Sequence, residues 1–197
     1  MSQEDDSVDI KRRKFLTGAT VAMGAIGVAA ACVPFIGSLM PSDEAIAAGG
    51  PVRVKVSDMK PGDQLTVIWR GRPVWIIARG EEALASLHTD INLLRDPDSK
   101  TDQQPSYAQN IFRSRKPLHL ILVGVCTHLG CTPTYRPDPH TVSSDWPGGF
   151  FCSCHGSKFD LAGRVFKGVP APINLEVPPY VYLSDDEILI GASEAPK

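Results

Sequence analysis

The chain has 197 residues, room for one ordinary domain and a surplus at one end. A net charge of -2 at pH 7 and an ordinary charged fraction exclude a basic nucleic-acid-binding surface as its main feature. Five cysteines are the informative part of the composition, because Cys126, Cys131, Cys152 and Cys154 form two tight groups while Cys32 stands alone in an apolar run.

The first residues are acidic and polar. Lys11-Arg12-Arg13-Lys14-Phe15-Leu16 then leads into an uncharged stretch, which predicts a transmembrane helix over 15–40. That run is about 26 residues, enough to cross a hydrocarbon core of roughly 30 Å with some tilt. Gly18, Gly24, Gly27 and Gly37 lower its hydropathy, but glycine is common in membrane helices. Positive charge before the span and acidic Asp43 and Glu44 after it place residues 1–14 in the cytoplasm and the body of the protein outside. The twin arginine followed by Phe15-Leu16 resembles a Tat export signal. A cleaved signal peptide is the other reading, with Ala45-Ile46-Ala47 as a small-residue cleavage site. The apolar run is longer than such peptides use, so a retained anchor is expected. Cys32 reads as a small packing residue inside the span.

Residues 41–51 show no apolar periodicity and carry the pair Gly49-Gly50, so they read as a hinge linker whose helix content can change. A folded domain is expected over 52–197. Val52 to Val56 alternates apolar and basic residues like a half-buried strand. Leu65 to Trp69 and Val74 to Ala78 flank Arg70-Gly71-Arg72-Pro73 as a β-hairpin. Glu81 to Leu87 predicts a short helix, 95–116 looks like a polar insertion, and Leu118 to Val125 is an apolar strand feeding Cys126. Further strands are expected at Arg164 to Phe166 and Ile173 to Val177. Tyr180 to Leu183 and Glu187 to Ile190 should pair across Ser184-Asp185-Asp186. Short strands with Gly and Pro turns argue an all-β sandwich or barrel. His88, His119 and His140 read as surface or packing residues.

Two segments carry the chemistry: Cys126-Thr127-His128-Leu129-Gly130-Cys131 and Cys152-Ser153-Cys154-His155-Gly156-Ser157. Each offers thiols and an imidazole within a glycine-containing loop that could wrap a small inorganic centre. Four cysteines in an exported protein are also compatible with two disulfides, or with structural zinc. Neither alternative explains why the two loops are near copies.

The pair of boxes resembles those of Rieske proteins, whose 2Fe-2S centre has two histidines on one of its irons. The resemblance implies that Cys126 and Cys152 bind one iron and that His128 and His155 bind the other. It also implies a Cys131–Cys154 disulfide and a Ser157 hydroxyl bonded to a bridging sulfide. Gly168-Val169-Pro170-Ala171-Pro172 resembles the proline-rich lid of respiratory members of the family. With Leu129, the lid residues Gly168, Pro170 and Pro172 would form an apolar docking rim around the histidines.

The resemblance covers nearly the whole chain, from the twin-arginine anchor to Ile173-Asn174-Leu175-Glu176-Val177-Pro178. It implies an antiparallel β sandwich with a cluster-binding subdomain at about 118–172, behind one N-terminal transmembrane helix. The implied role is the iron-sulfur subunit of a bacterial quinol:cytochrome c oxidoreductase in the inner membrane, with its cluster domain in the periplasm. One electron would come from ubiquinol or a related quinol at cytochrome b, with His155 the hydrogen-bond partner. It would pass to a c-type cytochrome subunit after the domain swings, with proton release, in a dimeric complex. An alternative is the small subunit of a periplasmic molybdenum oxidase such as arsenite oxidase. A soluble ferredoxin is disfavoured by the anchor and the extra cysteines. The stretch 132–151, with Pro133, Pro137, Pro139 and His140, departs from better-known members. So does 95–116, whose Arg113, Arg115 and Lys116 read as charges on a solvated loop, with partner contact as the alternative. Phe159 stands where many respiratory members carry a tyrosine.

Overall fold

The computed structural model describes residues 9–89 and 91–194, with backbone only at 46–48, so the acidic first residues lie outside the described residues. Contacts divide the chain into two units, 1–47 and 48–197.

In the first unit, helix α1 spans Ile10–Ser38. It begins ahead of the expected Phe15 because Asp9 caps it, accepting from the N–H groups of Lys11 and Arg12 at 2.9 and 3.2 Å. Its 29 residues rise about 43 Å, and Pro34 removes one internal hydrogen bond without ending it. It is long and apolar enough to cross a membrane. A short helix, α2, follows at Asp43–Ala48, opened by the Ser42 hydroxyl, which accepts from the Ala45 N–H at 3.1 Å. The stretch read as a linker therefore holds one helical turn before its glycine pair.

The second unit contains nine strands among its described residues, in three antiparallel sheets. β1 (Val52–Lys55), β9 (Glu187–Ile190) and β8 (Tyr180–Tyr182) form the first, with β9 central. β2 (Gln64–Trp69), β3 (Arg72–Ala78) and β4 (His119–Val123) form the second. β3 is flanked on both edges, and Ile76 is opposite Leu65 on one side and Ile121 on the other. Burial on both faces explains why β3 and β4 read as continuous apolar runs rather than alternating ones. The third sheet is β5 (Thr134–Arg136), β6 (Gly149–Cys152) and β7 (Ser157–Phe159), and it carries the second cysteine box. Val74, Ile76, Leu120, Leu122, Phe150, Phe159, Tyr180 and Ile190 belong to one core that joins all three sheets. Helix α3 covers Glu81–Ser86.

Several expectations are corrected. Arg164 to Phe166 makes only isolated bridges, Val165 to Phe159 and Phe166 to Leu94. Ile173 to Val177 is not a strand, because its backbone groups go to scattered partners: Leu175 N–H to Gly163 O, Val123 N–H to Glu176 O and Val177 N–H to Gln103 O. The stretch 132–151 contains β5 and the start of β6, paired Thr134 to Phe151 and Arg136 to Gly149, with Trp146 buried beneath and donating to Arg136 O at 3.1 Å. Arg113 is not on a solvated loop. It is wholly buried, and burial pushes its pKa down to about 10. A guanidinium that remains charged at neutral pH must then find acceptors inside the protein.

Candidate metal centre

Both boxes are built by the same turn. β4 runs into Gly124, where a Cβ would overlap the Trp75 indole, so glycine lets the chain pass over that ring. Trp75 is itself stacked on Phe150 of β6, with ring centroids 5.3 Å apart. Beyond Gly124 the Gly130 N–H donates to Cys126 O at 3.0 Å and the Cys126 N–H to Cys131 O at 2.7 Å, closing the first loop. In the second loop the Gly156 N–H donates to Cys152 O at 2.9 Å. Each closing glycine follows its cysteine by four positions, and both have positive φ, +85° and +79°. The near-copy in sequence is thus a near-copy in backbone. β6 can lie against β7 because Gly149 has φ +146° and no side chain; a Cβ there would overlap Phe159 O.

Cys131 and Cys154 form a disulfide that joins the loops. Cys126 and Cys152 remain free and buried. The sulfurs of Cys131, Cys152 and Cys154 lie within 4.8 Å of one another, but the disulfide leaves only Cys152 of these three free to bind. Burial pushes the Cys126 thiol up, the Cys152 thiol beside it adds to this, and the His128 N–H and the Ser157 hydroxyl pull the other way. Two adjoining buried sulfurs cannot both ionise cheaply without a cation between them. The rings of His128 and His155 stand edge to face with centroids 4.8 Å apart, the first half-buried and the second exposed. Two buried sulfurs and two imidazoles on tied loops fit a small iron-sulfur centre with one sulfur-bound and one nitrogen-bound iron.

Ser157 is buried and stands opposite Cys152 in the β6–β7 pairing, and its Oγ accepts from the Ala171 N–H at 3.0 Å. That contact brings the Gly168 to Pro172 segment to the site. Gly168, Pro170 and Pro172 are exposed and Ala171 is buried. Leu129 is 72% exposed at the tip of the first loop, next in sequence to His128. Sequence reasoning missed Thr127, whose hydroxyl donates to Ile173 O at 2.6 Å and ties the first loop to the far end of the lid. A threonine directly after the first cysteine was the available signal.

Comparison with known proteins agrees with this arrangement. Residues 51–179 match the family model described as Rieske [2Fe-2S] domain, and residues 2–42 match the one described as Ubiquitinol-cytochrome C reductase Fe-S subunit TAT signal. The chain is 53% identical to the ubiquinol-cytochrome c reductase iron-sulfur subunit of Allochromatium vinosum, covering 93% of this chain and 90% of that one. It is 41% identical to the subunit of that name in Blastochloris viridis, over 96% of this chain and 98% of the relative. The mitochondrial cytochrome b-c1 complex Rieske subunit of Gallus gallus is 38% identical, over 96% of this chain and 64% of that longer one.

Proposed function

The chain belongs to the Rieske [2Fe-2S] family, and we propose that Cys126 and Cys152 hold one iron of its cluster while His128 and His155 hold the other. It acts as the iron-sulfur electron carrier of a quinol:cytochrome c oxidoreductase. The molybdenum-oxidase reading falls away, because the relatives carry the cytochrome c reductase name. The observation that carries the ligand assignment is the set of two free buried thiols and two imidazoles 4.8 Å apart on loops joined by a disulfide.

When bound, the cluster supplies a one-electron acceptor of raised potential, since neutral imidazoles replace two thiolates. The exposed His155 ring accepts the hydrogen bond of a quinol hydroxyl and holds its proton as the electron leaves, which couples the two transfers. Leu129, Gly168, Pro170 and Pro172 supply the apolar collar that fits the quinol pocket of cytochrome b and the face of a c-type cytochrome. α1 anchors the chain in the inner membrane, residues 1–14 stay in the cytoplasm, the 52–197 domain works in the periplasm, and the complex is dimeric. Residues 41–51, with Gly49-Gly50 after α2, form the hinge on which that domain moves between the two cytochromes.

Iron and acid-labile sulfide analysis with electron paramagnetic resonance tests the assignment. Two irons, two sulfides and the low average g value of a histidine-ligated cluster are expected; zinc, or a four-cysteine signal, rejects it. Replacing Gly49-Gly50 by two prolines should slow cytochrome c reduction with the cluster spectrum intact. Normal turnover in that variant removes the case for a swinging domain. Mass spectrometry should find the anchor retained, and a mature chain beginning near Ala48 would overturn it.

A further inference from the structure

The stretch 91–113 grips the loop that carries the lid. On its N-terminal side, Leu94 bridges Phe166 in antiparallel fashion, flanked by Arg95 N–H to Val165 O at 2.9 Å and Lys167 N–H to Leu93 O at 2.8 Å. The Arg95 guanidinium reaches the lid itself, donating to Val169 O at 3.3 Å. Buried Asn174, just past the lid, accepts from the Val165 N–H at 2.9 Å and donates to Asp96 O at 3.0 Å. On the C-terminal side, Arg113 spreads its fork over Ala162 O at 3.1 Å, Gly163 O at 3.3 Å and Leu175 O at 2.7 Å. Gly163 and Leu175 are the two ends of the lid-bearing loop, and they also bond directly, Leu175 N–H to Gly163 O at 2.8 Å. Arg113 holds φ at +49°, a conformation that non-glycine residues adopt only at a cost, so the bonds it makes must offset that strain.

The lid has no regular secondary structure of its own, so its position depends on these outside bonds. Its Ala171 N–H donates to Ser157 Oγ, and Ser157 stands directly opposite the ligand Cys152 in the β6–β7 pairing, its hydroxyl on the same face as that sulfur. A hydroxyl that accepts a hydrogen bond becomes a stronger donor, because each bond polarises the next. Lid position is thereby linked to the charge withdrawn from a ligand sulfur.

We propose that residues 91–113 are a clamp that seats the lid on Ser157, and that Arg95 and Arg113 are positioning residues for the reduction potential of the bound cluster. This rests on Cys126, Cys152, His128 and His155 being the cluster ligands. Arg95 is exposed, so Arg95→Ala leaves the core intact. Arg113→Lys keeps the charge and loses the fork. Both variants should load iron as the unaltered chain does. Amide exchange at Val169 and Ala171, followed by mass spectrometry, should quicken several-fold in Arg95→Ala and more in Arg113→Lys, and the midpoint potential should fall in the same order. A merely structural role predicts a lower melting temperature without that fall. In a Ser157→Ala background the effect of Arg95→Ala on the potential should vanish, because the relay is already cut. Unchanged lid exchange in Arg95→Ala, or a fall in potential that persists without Ser157, overturns the clamp. Iron-loaded protein with an unmoved potential rejects the clamp alone, whereas zinc or no iron in the unaltered chain rejects the ligand assignment and the clamp with it.

Discussion

The base of the outer domain and the lobe around the cysteine boxes are held together by different means. In the base, β2, β3 and β4 pair over five or six consecutive residues, with every strand residue from Val74 to Ala78 buried. Around the boxes the strands are three or four residues long, and the loops are closed by a disulfide, two glycine turns and side-chain bonds such as Thr127 to Ile173 and Ser157 to Ala171. Support in the base is distributed over many equivalent contacts. In the lobe each link is single, so one substitution there should remove function and leave the fold.

The sharpest test of that contrast is His128→Ala or His155→Ala. Either removes a proposed ligand, so cluster content should fall to near zero, while circular dichroism still shows the sheets and a cooperative unfolding transition. Loss of that transition would mean that the base depends on the metal, as small metal-stabilised domains do, and the contrast would fail. Cys131→Ser should be milder, giving a cluster that assembles poorly and decays several-fold faster. An unaffected half-life would mean that the disulfide does not hold the loops.

The reciprocal experiment is Ile76→Ala. Ile76 is fully buried between Leu65 and Ile121, so truncation should cost about 2–5 kcal/mol of unfolding free energy while the spectrum of the loaded cluster stays unchanged. A shifted spectrum would show that base and lobe share one packing unit. Their common apolar core makes that a real alternative.

Legibility followed the same division. The base was readable because Val52 to Val56, the β2–β3 hairpin, β4 and the β8–β9 hairpin carry period or length in plain view. The boxes were readable as chemistry because both repeat a cysteine, a histidine and a glycine. The supports of the lobe were not. β5 and β6 are short, and twelve residues with three prolines separate Arg136 from Gly149. Arg113 sits in a polar stretch, and its acceptors at Ala162 and Leu175 lie 49 and 62 positions away. Ile173 to Val177 alternates like a strand, yet Asn174 and Leu175 are both buried because the segment fills a gap between elements instead of lying on a sheet.

A smaller effect is expected at His119, where base and insertion meet. Its Nδ1 lies 3.1 Å from the Tyr182 hydroxyl. Burial lowers its pKa, and the charges of Lys116 and Arg79 lower it further. The neutral ring is therefore favoured in the folded state. As pH falls through the ordinary histidine range the unfolded chain takes up a proton that the folded one refuses, so stability drops and levels off below the folded pKa. His119→Gln cannot titrate. The difference in urea midpoint between variant and unaltered chain should move in the variant's favour from pH 7 to pH 5. A constant difference would show that His119 does not titrate differently on folding.

The smallest expected effect is at Phe159, and it bears on the lobe alone. Ser157 and Phe159 are alternate residues of β7 and point to the same side, the side that Ser157 shares with Cys152 opposite it on β6. Phe159 is fully buried opposite Phe150, so its ring packs as a tyrosine ring would, but it has no donor. A hydroxyl directed at a thiolate withdraws charge and favours the reduced state. A bond to a charged group is worth about 1.5–3 kcal/mol at most, and only its difference between the two oxidation states moves the potential. A differential of roughly 0.5–1 kcal/mol corresponds to about 20–45 mV for one electron. Phe159→Tyr, titrated at fixed pH, should therefore raise the midpoint by tens of millivolts without changing cluster content. The unaltered chain would then suit a donor tolerant of a lower potential, such as a low-potential quinol. No shift would mean that the new hydroxyl fails to reach the sulfur, and that Ser157 is the donor that matters on this face.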